Sequence, residues 1–340
     1  MGRIRLGPGA EFDLIRSLLE RDASLRERLE TAAPGTGSVL VGPGDDCAVV
    51  YGPGIALSVD LSIEGVHFRR EWLEPPEIGW RATAAALSDL AAVAAEPVGI
   101  LVALGLPRAA EADAGGLMTG VSEVAATYGA VLLGGDVSRS HGPIVIDIVA
   151  VGRTGAPILR SGVRPGDAIC VTGHLGGAAA AVAAWERGRE PDPVARAAFA
   201  RPHPRLAEAR WLAERGALHA AIDLSDGLAG DAGHLASASN VRILLDLAAV
   251  PVHPAALGRD ADRAAGLALA LGGGDDYELC FAGPADTCAE LADAFRREFD
   301  AALTRVGEAE PGEGLFAREG QGAEPRPLSS GGYSHIDGQA

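Results

Sequence analysis

Residues 221–231, Ala-Ile-Asp-Leu-Ser-Asp-Gly-Leu-Ala-Gly-Asp, read as the end of an apolar strand, a turn and the first turn of a helix. The helical pattern continues over 228–238 and a strand pattern follows over 241–245, which makes a strand–helix–strand unit. Toward the carboxyl terminus a helix is expected over 260–271, a strand over 278–282, a helix over 286–299 and then short strands. The Gly- and Glu-rich segment 308–321 is expected to form a surface hairpin around its apolar island, LFA. Toward the amino terminus lie a strand over 168–172 and helices over 176–187 and 206–214. This alternation places the chain in the α/β class.

A boundary is expected near Arg153, giving domains 1–153 and 154–340, each of ordinary domain size. The first half reads as an amphipathic helix over 11–28, a Pro/Gly loop over 33–37, and strands over 39–41, 48–51 and 55–63. An alanine-rich helix over 76–95, a strand over 98–104, a helix over 111–128 and strands over 130–133 and 144–151 complete it.

The chain has 340 residues, and 46 acidic against 29 basic side chains give a net charge of −17. With 48% hydrophobic residues it builds a core, so disorder is excluded as the main state. The negative field disfavours nucleic acid and anionic membrane surfaces as partners and favours metal ions. All the basic residues are arginine, which removes phosphate-binding loops that need a lysine and pyridoxal Schiff-base chemistry. Cys47, Cys170, Cys280 and Cys288 have no C-x-x-C spacing and read as reduced, buried thiols. No signal-peptide pattern opens the sequence and no apolar run reaches the roughly 18 residues of a membrane span, so a cytoplasmic protein is expected.

The informative residues are aspartates placed where carboxylates are costly. Asp45 and Asp46 are adjacent on a turn after Gly42-Pro43-Gly44; they are a metal site or a solvated turn. In the strand 55–63, Ser58, Asp60 and Ser62 share one face while Leu57, Val59, Leu61 and Ile63 share the other. That polar face is either a ligand set or a solvent-facing surface. Asp89 is the one charged side chain of 82–95, so it needs a cation, a metal, backbone amides or a structural arginine. Asp136 is expected in a glycine loop at a strand's carboxyl end, where α/β proteins bind ligands. Asp223 sits inside an apolar strand, Asp226 is a ligand or a helix cap, Asp231 follows one turn on, and Asp275-Asp276 follow a glycine run. Spread-out acids at strand ends suit several magnesium ions holding a polyphosphate. No Ser-His-Asp or Cys-His arrangement is legible.

Ten ordered motifs carry a resemblance over nearly the whole chain: GAEFDLI, VGPGDDCAVV, SVDLSIEGVHF, ALSDLAAVAAEP, LLGGDVSRS, LRSGVRPGDAICVTG, RPHPRL, AIDLSDGLAGD, GGGDDYELCF and GGYSHI. In these the sequence resembles the thiamine-monophosphate kinase family, of the superfamily that includes aminoimidazole ribonucleotide synthetase. The resemblance implies a two-domain α/β (α+β) fold, an amino-terminal domain that forms a homodimer, and a site between the domains. It implies transfer of the ATP γ-phosphoryl group to thiamine monophosphate with several Mg²⁺ ions and no protein base. By the same resemblance Asp46, Ser58, Asp60, Asp89, Asp136, Asp223 and Asp226 are magnesium ligands, and Gly135, Asp136, Arg160 and Ser225 contact the nucleotide. His67, Asp275 and Tyr333 are the implied contacts to thiamine monophosphate. A forked arginine suits phosphate oxygens, and a carboxylate with an aromatic face suits a thiazolium.

Three positions depart from the family pattern: Asp275 stands where Glu is usual, Val59 where many relatives have Thr, and Met118 where an aromatic is frequent. Sibling activities of the superfamily remain the alternative, together with a protein that binds magnesium-nucleotide or thiamine phosphate without turnover. Selenophosphate synthesis needs a reactive cysteine and a lysine in an amino-terminal glycine loop, and this chain has no lysine.

Overall fold

The computed structural model describes residues 39–41, 47–50, 54–258, 262–320 and 322–328. The helix expected over 11–28 and the loop over 33–37 lie outside the described residues, as do Asp45, Asp46 and Tyr333. Two sheets organise the rest. The first is built from β1 (Val39–Val41), β2 (Ala48–Val50), β3 (Ile55–Ile63), β4 (Glu96–Leu106), β5 (Val131–Arg139) and β6 (Val145–Arg153) in the order β1-β2-β3-β6-β4-β5. Its pairs are antiparallel apart from β4 with β5.

One helix, α1 (Pro75–Ala92), packs against β3, β4 and β6, and α2 (Ala114–Thr127) packs on α1. A capping box starts α1: Glu74 and Glu77 exchange side-chain and backbone hydrogen bonds, with Pro75 in the first turn. The helix is alanine-rich because it is enclosed, with residues from Ile78 to Ala92 buried almost throughout. Two glycines let α1 and α2 approach: a Cβ on Gly79 would lie 2.0 Å from Leu117 O, and one on Gly120 would lie 1.8 Å from Pro76 O.

The second sheet has the order β13-β12-β9-β11-β7-β10-β8. Its strands are β7 (Asp167–Thr172), β8 (Ala220–Asp223), β9 (Arg242–Asp246), β10 (Leu279–Pro284), β11 (Leu303–Glu310), β12 (Gly314–Arg318) and β13 (Arg326–Pro327). Its helices are α3 (Gly177–Glu186), α4 (Pro193–Ala200), α5 (Leu206–Glu214), α6 (Leu228–Ser239), α7 (Arg263–Gly272) and α8 (Ala285–Phe299). Both faces of this sheet are covered: Ile169, Val171, Ile222 and Ile243 meet α6 residues on one side, and Cys170, Phe281 and Phe295 form the core on the other. A core continuous with that of the first half runs through Phe199, Leu206 and Leu279, so the halves are joined by apolar packing.

The mixed α/β architecture is as expected. Three local readings differ. α4 was not foreseen; its signal is Asp192, whose carboxylate accepts from Val194 N at 2.9 Å ahead of Pro193. The 308–321 segment is not a hairpin: β12 pairs in parallel with β9, which lies between it and β11, and Leu315 and Ala317 are buried. β5 runs on through the glycines to Arg139 as a parallel partner of β4, the ladder shifting register at Ile100/Leu101. Asp136 is therefore within an edge strand and not in a loop beyond one.

Candidate active site

The alternation of β3 is oriented against the usual rule. Ser58 and Ser62 are buried and Asp60 partly so, on the face turned toward α1, whereas Val59 and Leu61 face outward and are 66% and 47% exposed. Asp89, near the carboxyl end of α1, accepts a hydrogen bond on Oδ2 from the Ser58 hydroxyl, and its main-chain oxygen accepts from Cys47 Sγ at 3.4 Å. The partner available to Asp89 on β3 is thus a hydroxyl. Burial pushes the Asp60 carboxyl up to about 6; Arg81 opposes the shift, and Asp275 and Asp147 add to it.

The second half brings its acids to the same place through a strained loop. Asp223, 4% exposed, ends β8 opposite Leu279 of β10. The loop before β10 is tied back onto the chain after β8: Asp275 N donates to Ser225 O, Tyr277 N to Leu224 O and Leu224 N to Glu278 O, each at 2.8 Å. Asp275 and Tyr277 both have left-handed backbones, φ +64° and +50°, in a conformation held by those bonds. Burial raises the Tyr277 hydroxyl well above its ordinary value, and Asp275, Asp60 and Asp223 raise it further while Arg81 lowers it. The Tyr277 hydroxyl donates to Asp275 Oδ1 at 3.1 Å, and the charges of Asp60 from the first half and Asp223 from the second act on the same group.

Arg81 of α1 joins the halves. Its Nη2 lies 2.6 Å from Asp275 Oδ1, Nη1 donates to Phe199 O at 2.9 Å, and Nε donates to His67 O at 3.3 Å. The guanidinium lies 3.9 Å over the Phe199 ring. His67 Nδ1 accepts from Ile63 N at 3.1 Å, which places the ring proton on Nε2. Beside Asp275 a cavity of about 300 Å³ is lined by His174, His203, His253, Arg201 and Asp276.

A third group follows the β8 turn. Asp226, Asp231 and His234 present ligand atoms within 4.8 Å of one another, and Asp226 N donates to Asp231 Oδ2 at 3.1 Å. Gly227 occupies the cap position of α6, so Asp226 is not its helix cap. Burial pushes the Asp231 carboxyl up, Asp226 and Asp223 add to this, and Arg160 opposes it. Arg160 is thereby placed at this acidic turn, where its main-chain oxygen accepts from Ser239 Oγ at 2.9 Å.

The sequence-derived candidates thus separate. Ser58, Asp60, Asp89, Asp223 and Asp275 gather around α1 and the β8–β10 joint, with His67 tied in through Arg81. Arg160, Ser225 and Asp226 lie at the α6 turn. Gly135 and Asp136 stand on the exposed sheet edge, where Asp136 Oδ1 accepts from Val137 N at 2.9 Å. Gly135 is needed there for strand pairing, since a Cβ would lie 2.1 Å from Val102 O. Arg81, Tyr277 and His234 were not singled out from the sequence. The available signal for Arg81 was a cation opening an otherwise alanine-rich helical run.

Family models match two stretches: residues 44–154 match the AIR synthase related protein, N-terminal domain, and residues 164–318 match the AIR synthase related protein, C-terminal domain. The thiamine-monophosphate kinase of Escherichia coli (strain K12) is 34% identical over 336 residues, 96% of this chain and 98% of that protein. That of Mycobacterium tuberculosis (strain ATCC 25618 / H37Rv) is 38% identical over 272 residues, 76% of this chain and 80% of that protein. A solved structure described as AaThiL complexed with AMPPCP and TMP is 27% identical with a TM-score of 0.77, covering 99% of each chain. The thiamine-monophosphate kinase of Stenotrophomonas maltophilia K279a is 34% identical with a TM-score of 0.72, covering 93% of this chain and 98% of that one.

Proposed function

Because the chain belongs to the thiamine-monophosphate kinase family, built on the AIR synthase related domains, we propose that the acidic joint between its two sheets is where the γ-phosphoryl group of ATP passes to thiamine monophosphate. The reaction is ATP-dependent phosphorylation of thiamine monophosphate to thiamine diphosphate. A phosphate oxygen of the acceptor attacks the γ-phosphorus, the bond to the bridging oxygen breaks, and ADP leaves with that electron pair. The attacking oxygen is already anionic, so no protein base is required, and none is assigned.

The observation that carries the site is the joint at Asp275, whose Oδ1 meets Arg81 of α1 at 2.6 Å and the Tyr277 hydroxyl at 3.1 Å, together with the Ser58–Asp89 hydrogen bond between β3 and the same α1; Asp60 and Asp223 add their charge to this surrounding. These are hard oxygen donors, and Asp60 is a carboxyl whose burial exceeds the compensation Arg81 supplies. Such a set fits magnesium. Ser58, Asp60, Asp89 and Asp223 would hold it, with Asp226 for a further ion and with Asp46 and the β5 residue Asp136 as additional ligands. When bound, magnesium neutralises charge on the polyphosphate and orients it. Arg160, Ser225 and the Gly135-Asp136 pair are assigned to nucleotide phosphates, and His67, Asp275 and Tyr333 to the acceptor.

The same proposal includes domains 1–153 and 154–340, a homodimer and a cytoplasmic location. The outward face of the first sheet supports the homodimer: Val59, Leu61, Leu101 and Leu133, on β3, β4 and β5, are exposed on the face turned away from α1. Four free, buried thiols agree with a reducing compartment.

Incubation with ATP, Mg²⁺ and thiamine monophosphate tests the reading. ADP and thiamine diphosphate are expected in equal amounts, and neither without magnesium. ADP alone would refute the acceptor, and no ADP would leave a protein that only binds.

A further inference from the structure

Resting on that reading of the site, we infer that Arg81 is a positioning residue for the acceptor, holding together two substrate contacts that come from different domains. The residue is 4% exposed and its three guanidinium nitrogens each have a different acceptor: His67 O, Phe199 O and Asp275 Oδ1. His67 belongs to the first half and Asp275 to the second, so one planar fork fixes their separation. A lysine could supply the charge but not three directed donors in one plane.

The arrangement at Asp275 makes the fork consequential. Arg81 Nη2 and the Tyr277 hydroxyl both approach Oδ1, at 2.6 and 3.1 Å. Among the described residues no hydrogen bond reaches Oδ2, and Asp275 lines the 300 Å³ cavity. The shorter Asp side chain, on a left-handed backbone, is thus drawn to the domain joint by one oxygen, and the other remains for a cationic ligand. Without Arg81, Asp275 Oδ1 would lose the guanidinium that holds it at the domain joint, with the Tyr277 hydroxyl as its remaining hydrogen-bond donor among the described residues.

An interdomain pin with no role toward the acceptor would affect both substrates and the fold alike. A positioning residue acts through Asp275 and His67, and so separates the two Michaelis constants. Arg81→Gln is expected to raise KM for thiamine monophosphate about tenfold or more, with KM for ATP within about twofold and kcat within about threefold. In an Asp275→Asn background the same change should add less than about threefold, because its main route is already lost. Equal increases in both Michaelis constants, or the same increase in both backgrounds, would overturn the inference.

If Arg81→Gln does not fold, Arg81→Lys carries the test: a rise of about threefold in KM for the acceptor alone is expected, and a uniform change or none overturns it. The parent protein is assayed alongside. Failure of the parent to make thiamine diphosphate would refute the functional reading, whereas an active parent with no separation in the variants refutes the Arg81 inference alone.

Discussion

Asp89 and Asp60 illustrate two ways in which a carboxylate is held near the core. Asp89 is engaged by Ser58 and lies on a rigid helix, so its replacement should leave the fold intact. Asp89→Asn keeps an oxygen acceptor for the serine; turnover is expected to fall about a hundredfold or more with a melting temperature within about 3 °C of the parent. An unchanged rate would remove Asp89 from the ligand set. Asp60 is different, because the burial that pushes its carboxyl up to about 6 is an energetic cost in the metal-free protein. Asp60→Asn should abolish turnover yet stabilise the chelated protein by about 1 kcal/mol, read as a rise of roughly 2 °C in EDTA at pH 8. A loss of stability there would mean that the charged form is already compensated. Both aspartates were legible as costly residues in the sequence, but their partners were not, since Ser58 and Asp89 lie 31 residues apart.

Among the elements, β3 and the α1–α2 pair show how much pattern alone conveys. The period of β3 is evident from its alternation, and its bounds, 55–63, agree with the structure. Its orientation is not evident, because period two fixes which residues share a face and says nothing about which face turns inward. The α1–α2 crossing rests on Gly79 and Gly120, invisible to hydrophobic periodicity because a glycine contributes no side chain to it. Gly120→Ala should destabilise the protein by about 2 kcal/mol or more, since its Cβ would meet Pro76 O at 1.8 Å. Gly115, also in α2, has open space around it, so Gly115→Ala should stabilise by about 0.5–1 kcal/mol. Thermal unfolding of the two variants against the parent measures both, and a shared sign would refute the close-approach argument.

At the scale of the whole molecule, the two halves are joined by packing and by directed bonds. Trp72 stacks on Trp185 at 4.9 Å between ring centroids, and Arg196 makes a two-pronged ion pair with Glu77 at 2.7 Å. This joint positions the candidate site, and the outward apolar residues of β3 and β4 form the face assigned to the proposed homodimer. Val59→Asp puts a charge at the most exposed part of β3, facing away from α1. Light scattering after size exclusion should show the parent as a dimer and Val59→Asp shifted toward monomer, with its melting profile otherwise retained. A parent that elutes as a monomer refutes the dimer directly.

The sequence by itself determined the class of the fold and the positions of most elements, and it supplied the residues of the candidate site. Periodicity, glycine punctuation and the desolvation cost of a carboxylate are local properties, present in any ten-residue window. Only the tertiary structure decided that the polar face of β3 turns inward, that β12 crosses to the far side of β9, and that Arg81 links His67 to Asp275. Each depends on which distant surfaces meet. Arg81 is buried because Asp275, almost two hundred positions later, accepts its charge, and local sequence carries no record of that pairing.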